Sequence, residues 1–168
     1  MDPKKPSPRL THVDDAGSAR MVDVSGKNPT PREASALAIV RMRPETLSAV
    51  TDGRLPKGDV FASSRLAGIQ AAKKTPDLIP LCHPIRLDAV DVDLEPDPPE
   101  RVRITAVARA RDVTGVEMEA LVAASVAALT LYDMCKAVDR GVTVEHVGLV
   151  SKSGGQSGPW RREDDHAS

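Results

Sequence analysis

The sequence predicts an α+β chain in which an antiparallel sheet carries helices on one face. Three observations lead there. Residues 32–43, 90–95 and 102–110 alternate side-chain character at the period of a strand. Residues 115–139 form instead a long run rich in Ala, Leu and Met with no proline, which favours helix. Within that run, residues 120–132 carry no charge, so the helix needs cover on more than one side, from a sheet or from a partner chain.

The elements follow in order. Residues 1–20, rich in Pro, Lys and Asp and without a period, read as a mostly flexible arm whose 10–15 segment alone has the makings of a local dock. In 32–43, Ala34, Ala36, Ala38, Val40 and Met42 share one face, while Leu37 and Ile39 make the other partly apolar, so both faces of this strand are expected to be partly covered. Pro44 opens a short helix that ends before Gly53. Asp59 is a suitable N-cap for a second, in which Val60, Leu66, Ala67, Ile69, Ala71 and Ala72 give the apolar pattern and Thr75-Pro76 the break. The run Leu78-Ile-Pro-Leu-Cys-His-Pro84 is an apolar turn pinned by prolines.

Val90, Val92 and Leu94 alternate with Asp91, Asp93 and Glu95. After a proline-rich turn, Val102, Ile104, Ala106, Ala108 and Ala110 alternate with Arg103, Thr105, Arg109 and Arg111. This is a hairpin whose acidic strand faces an arginine-bearing one, a pattern suited to cross-strand ion pairs. The long helix has Thr114 as expected N-cap, Glu117 completing a capping box, and Gly141 as expected C-cap. A last strand spans 142–152. Strand, helices, strand, strand, helix, strand is the ferredoxin-like (split βαβ) order, and the neutral helix asks for an oligomer. Residues 21–158 are thus one domain and 159–168 a flexible tail.

Composition narrows the function. A chain of 168 residues has room for one domain burying roughly 70% of its unfolded surface and no second one. Lys+Arg total 23 against 24 Asp+Glu, so no global field favours nucleic acid or a membrane surface, and an anionic ligand must be met by a local cluster of cations. Phe61, Tyr132 and Trp160 are the only aromatics, too few for base stacking. Cys82 and Cys135 are expected to be reduced thiols. The N-terminal stretch lacks a signal-peptide core and no apolar run reaches membrane-spanning length, so the expected location is cytoplasmic.

Charged residues gather at the expected element ends: Arg32, Lys57, Lys136 and Lys152. Lys57-Gly-Asp59 sits where helix amides can hold phosphate, and Lys152-Ser-Gly-Gly155 offers a flexible nest, although neither is a Walker loop. On the long helix, Glu119 and Asp133 share a stripe with Lys136 one turn beyond, yet stand about 21 Å apart at ~1.5 Å rise per residue. Either the ligand is long or neighbouring chains bring opposite helix ends to one site; the plainer alternative is an ordinary Asp133–Lys136 ion pair at a solvated end. His83 beside Cys82 has no further ligands at zinc spacing, with His12, His146 and His166 scattered, and reads better as a titrating group.

Met21-Val-Asp-Val-Ser25, Lys57-Gly-Asp-Val60, Ala67-Gly-Ile-Gln-Ala-Ala-Lys73, Leu78-Ile-Pro-Leu-Cys-His-Pro84, Thr114-Gly-Val-Glu-Met-Glu-Ala-Leu121, Tyr132-Asp-Met-Cys-Lys-Ala-Val138 and Lys152-Ser-Gly-Gly155 together resemble the cyclic pyranopterin monophosphate synthase family, the MoaC family of molybdenum cofactor biosynthesis. The resemblance runs from about residue 10 to residue 158. It implies a ferredoxin-like fold assembled as a hexamer, a trimer of dimers, with sites at subunit interfaces. It also implies a lyase that converts 3′,8-cyclo-7,8-dihydro-GTP, supplied by a radical SAM GTP cyclase, to cyclic pyranopterin monophosphate and pyrophosphate.

Carried over by motif, Asp133, Lys136 and Lys57 are the implied catalytic residues. Leu81, Cys82, His83, Glu117, Met118, Glu119, Lys152 and Arg32 are the implied substrate contacts. No metal site and no cofactor are implied, beyond a Mg²⁺ that can accompany the triphosphate. A lysine crowded by cations, Lys136 or Lys57, is expected to have a lowered pKa and to act as acid or base. Gln156 stands where the family often has Lys, so no charge-based phosphate role attaches to it. The alternative from another class is a non-catalytic oligomeric binder of a nucleotide-derived intermediate.

Overall fold

The computed structural model describes residues 21–163. The arm read at 1–20, with its 10–15 segment, and residues 164–168 lie outside the described part. The order is β1 (Thr30–Arg41), α1 (Pro44–Thr51), α2 (Val60–Ala72), α3 (Thr75–Leu78), β2 (Leu87–Asp97), β3 (Arg101–Asp112), α4 (Glu117–Cys135), β4 (Thr143–Ser153) and β5 (Trp160–Arg161). One antiparallel sheet runs β2-β3-β1-β4-β5. The expected α+β class with helices on an antiparallel sheet is what forms. β5 is an addition: it pairs with β4 inside the stretch read as tail.

Period-2 alternation builds the core. Ala34, Ala36, Ala38 and Val40 of β1 and Val102, Ile104, Ala106 and Ala108 of β3 are buried together. α4 answers with Ala120, Ala123, Ala124, Ala127, Ala128 and Leu131, all with no exposed surface. Because the facing side chains are mostly methyl groups, helix and sheet backbones lie close, and each small gap filled contributes dispersion. On the far face, Arg109 ties Glu33 of β1 to Asp91 of β2, and Glu145 of β4 holds Arg41 and Arg101. The acid–arginine pairs read from the hairpin are therefore formed.

α4 is long and apolar enough by length and composition to span a bilayer, contrary to the sequence expectation. Its place against the sheet identifies it as a core helix.

The ends of α4 also differ from expectation. Val116 is the N-cap and no side chain caps the helix. Thr114 is not the cap, because the Glu117 carboxylate turns away to accept from Lys152 Nζ at 2.9 Å, so the reciprocal capping box cannot close. The helix stops at Cys135, and Gly141 is not in the left-handed region. Asp139 takes over the closure: its buried carboxylate accepts from the Gly141 and Arg43 amides, at 3.0 Å each, and from Thr46 Oγ1 at 3.1 Å. Burial pushes the Asp139 acid up, but these donors outweigh it and hold its pKa below the usual range. Thr75-Pro76, read as a break, opens α3, since proline suits a first helical turn.

α2 buries Val60, Ser64, Gly68, Ala71 and Ala72, whereas Leu66 is 60% exposed. Size decides this face. A Cβ on Gly68 would sit 2.8 Å from the Ala123 carbonyl oxygen and 3.2 Å from Ala127 Cβ, so only glycine allows the α2–α4 crossing. At an open helical position Gly→Ala stabilises by up to ~1 kcal/mol. Here Gly68→Ala is expected to reverse that sign and cost about 1–3 kcal/mol through overpacking, read as a lower urea midpoint. A raised midpoint would show the crossing to be loose.

Candidate active site

The C-terminal end of α4 gathers one carboxylate and two ammonium groups. Asp133 Oδ1 accepts from Lys136 Nζ at 2.7 Å, the expected i,i+3 pair. Its Oδ2 accepts from Lys57 Nζ at 2.9 Å, and its backbone carbonyl from the same nitrogen at 2.7 Å. Lys57 reaches across because the turn after α1 delivers it beside α4, with Asp59 capping α2 through Ala62 N. The α2 N-terminus thus meets its own cap's carboxylate where the sequence allowed a phosphate.

All three side chains are substantially exposed. Hydrogen bonds from Lys136 and then Lys57 hold the Asp133 acid down to about 2. The same bond from Asp133 raises Lys136 above an ordinary lysine. The expected lowered lysine pKa is therefore wrong for Lys136: the nearest charge is an anion, not another cation.

The N-terminal end of α4 opens onto a cleft with two halves. A cavity of about 550 Å³ is walled by Val22, Val24, Ile79, Leu81, Cys82, His83 and Met118. A second, of about 330 Å³, is lined by Arg32, Lys152, Ser153, Gly154, Gln156 and Ser157. Lys27, Thr114, Gly115 and Glu117 line both, so the halves share a wall. The polar half owes its shape to Gly154 and Gly155, whose φ values of +91° and +78° and close approach to Pro31 and Arg32 exclude a side chain.

Several polar groups in the cleft are held by the protein itself. His83 Nε2 lies 2.8 Å from the Val22 carbonyl; a carbonyl only accepts, so Nε2 carries the proton and Nδ1 is the acceptor in the neutral ring. Arg32 gives Nε and an Nη to the Asp112 and Val113 carbonyls at 3.2 and 3.1 Å. Cys82 Sγ donates to Glu119 Oε1 at 3.6 Å. Glu119 is only 1% exposed, and its Oε2 finds no partner among the described residues. Burial raises the Glu119 acid, and burial with the Glu119 charge pushes the Cys82 thiol up to about 11. A thiol held that high favours its protonated form, and in that form Cys82 lines the cavity. Both cysteines are free thiols. Among the described residues no cluster of His, Cys, Asp and Glu is arranged to hold a metal ion.

The MoaC family model matches residues 21–155. A curated relative from Geotalea uraniireducens, named cyclic pyranopterin monophosphate synthase, is 57% identical over 157 residues, covering 93% of this chain and 98% of its own. Another of the same name, from Pelotomaculum thermopropionicum, is 58% identical over 160 residues, covering 94% of each. The chain belongs to the MoaC family.

The site residues expected from sequence thus fall into two groups at opposite ends of α4. Lys57, Asp133 and Lys136 meet at one end. Leu81, Cys82, His83, Glu117, Met118, Lys152 and Arg32 surround the cleft at the other, with Glu119 behind Cys82 and off the cavity wall. Sequence reasoning gave no part in the site to Val22, Val24, Lys27, Thr114 or Gly115, and took Thr114 only as a helix cap. Met21-Val-Asp-Val-Ser25 was visible as a motif, but only the fold lays that segment over the cavity, tied by His83.

If the triad is arranged as described, Asp133→Asn moves the Lys136 titration midpoint down, toward an ordinary lysine, in an NMR titration of its side chain. The pairing is complete above the ordinary Asp pKa and is lost as pH falls toward 2, so no Asp133 step is expected between pH 5 and 8. An unmoved Lys136 midpoint would contradict the pair.

Proposed function

We propose that this chain is a cyclic pyranopterin monophosphate synthase in molybdenum cofactor biosynthesis. It converts 3′,8-cyclo-7,8-dihydro-GTP, delivered by a radical SAM GTP cyclase, to cyclic pyranopterin monophosphate and pyrophosphate. The observation that carries this reading is the two-halved cleft in a MoaC-family chain: an apolar half with Cys82 and His83 suits a purine-derived ring, and a half with Arg32, Lys152 and glycine amides suits a triphosphate.

The chemistry divides between the ends. Rebuilding the ring needs hydrolysis and proton transfers, for which His83 Nδ1, without a donor among the described residues, is an acceptor, while Glu119, its acid raised by burial, stands behind Cys82. Closing the cyclic phosphate forms a bond from a substrate hydroxyl oxygen to the α-phosphorus and breaks the bond from that phosphorus to pyrophosphate. The hydroxyl proton passes to a base as pyrophosphate leaves. Lys136 and Lys57, charged and aimed by Asp133, neutralise the phosphate oxygens and the charge that develops on the departing pyrophosphate. No resident cofactor is required; a Mg²⁺ with the triphosphate would arrive with the substrate.

We further infer that the working unit is a hexamer, a trimer of dimers, in the cytoplasm. Along α4 the two residue groups stand about 20 Å apart, too far for one reacting centre in one chain, so a neighbouring copy supplies the lysine end. The strand order β2-β3-β1-β4 corresponds to the split βαβ arrangement of ferredoxin-like folds. Free thiols at Cys82 and Cys135 suit a reducing compartment.

Lys136→Ala and His83→Ala are each expected to abolish turnover while leaving the oligomer intact. Co-expressed, they should regain about a quarter of wild-type activity, because random pairing of isologous halves leaves that share of sites intact. No recovery would confine each site to one chain. Pyrophosphate release at the wild-type rate by Lys136→Ala would remove that lysine from the mechanism, and no turnover by the unaltered protein would favour a non-catalytic binder.

A further inference from the structure

Of the cations that line the cleft, two are already engaged. Arg32 donates to the Asp112 and Val113 carbonyls, and Lys152 to Glu117 and Ser157. A ligand anion must share them with those acceptors. Lys27 differs. It is exposed, it lines both halves of the cleft, and its ammonium has no acceptor among the described residues. Its backbone is placed by a turn in which its amide donates to the Val24 carbonyl at 3.0 Å, with Asp23 Oδ1 bracing Ser25 N at 2.9 Å. The same segment is tied to the cavity by the Val22 carbonyl on His83.

We propose that Lys27 is a substrate-binding residue that holds the phosphate next to the sugar, at the joint between the two halves. The inference rests on the reading that the ring lies in the apolar half and the triphosphate in the polar half. With that placement, the junction of ring-bearing sugar and phosphate chain falls on the shared wall, to which Lys27, Thr114 and Gly115 belong. In the polar half Glu117 is held by Lys152 and Glu33 by Arg109, so among the described residues no lining carboxylate is left over to pair with Lys27. Lys27 thus brings a positive charge on a side chain that need break no hydrogen bond to any described residue to reach a phosphate.

The probe is inorganic tripolyphosphate, titrated by calorimetry into the full-length protein and into Lys27→Ala, Lys27→Arg and Lys74→Ala, the last an exposed lysine removed from the cleft as a control for net charge. Lys27→Ala should bind tripolyphosphate about tenfold more weakly and raise KM about tenfold with kcat within about twofold, as for a contact present in both ground and transition states. Lys27→Arg and Lys74→Ala should stay near wild type. Should alanine disturb the turn, seen as a lowered Tm, Lys27→Gln keeps the stem and carries the same expectation.

Wild-type binding that Lys27→Ala and Lys27→Gln leave unchanged overturns the role of Lys27 while sparing the phosphate reading of the polar half. Failure of the unaltered protein to bind tripolyphosphate overturns both. A loss as large in Lys74→Ala as in Lys27→Ala reduces the effect to net charge and overturns the specific contact.

Discussion

The structure depends on one packing contact: the alanine face of α4 against the alanine rows of β1 and β3. Where both surfaces are methyl groups, helix and sheet can approach closely, and Gly68 lets α2 pack tightly against α4 and Val92 of β2. A helix seated this way has little freedom to slide or roll. Its ends are therefore fixed points, and the chemical groups sit at the ends. The uncharged middle keeps the two groups of charges apart.

Electrostatics at the two ends follow from their depth. At the open C-terminal end Asp133 is an ionised carboxylate flanked by two ammonium groups, and each stabilises the charged form of the other. At the enclosed N-terminal end burial acts in the opposite sense, favouring the neutral forms of Glu119 and Cys82. One helix so presents an end where paired charges support each other and an end where burial favours neutral groups. Phosphate chemistry calls for the first and ring chemistry for the second.

How much of this could be read from the sequence varied with the range of the interaction involved. The alternation in residues 34–40 and 102–110 named the buried face of each strand correctly, because a period of two is set locally by the pleat. The caps of α4 were misread because they are decided at long range: Lys152 draws Glu117 out of its capping box, and Asp139 closes a turn by reaching Arg43 and Thr46. On α2 hydrophobicity suggested Leu66 for the core, but the crossing has room only for Ser64 and Gly68. Cys82 and His83 drew notice as a pair inside a proline-pinned turn, and Leu81 only through the family motif. Val22, Val24 and Lys27 did not, since a short polar strap acquires meaning only from the cavity it covers.

The central claim is that one site is made from opposite ends of α4 belonging to two copies of the chain. A structure of the oligomer with an unreactive analogue of 3′,8-cyclo-7,8-dihydro-GTP tests it most directly. The account predicts a ligand whose ring lies against His83 of one copy while Lys136 of a neighbouring copy approaches its phosphates. A ligand held entirely by one chain, or Lys136 out of reach of His83 in every pair of touching copies, would contradict it.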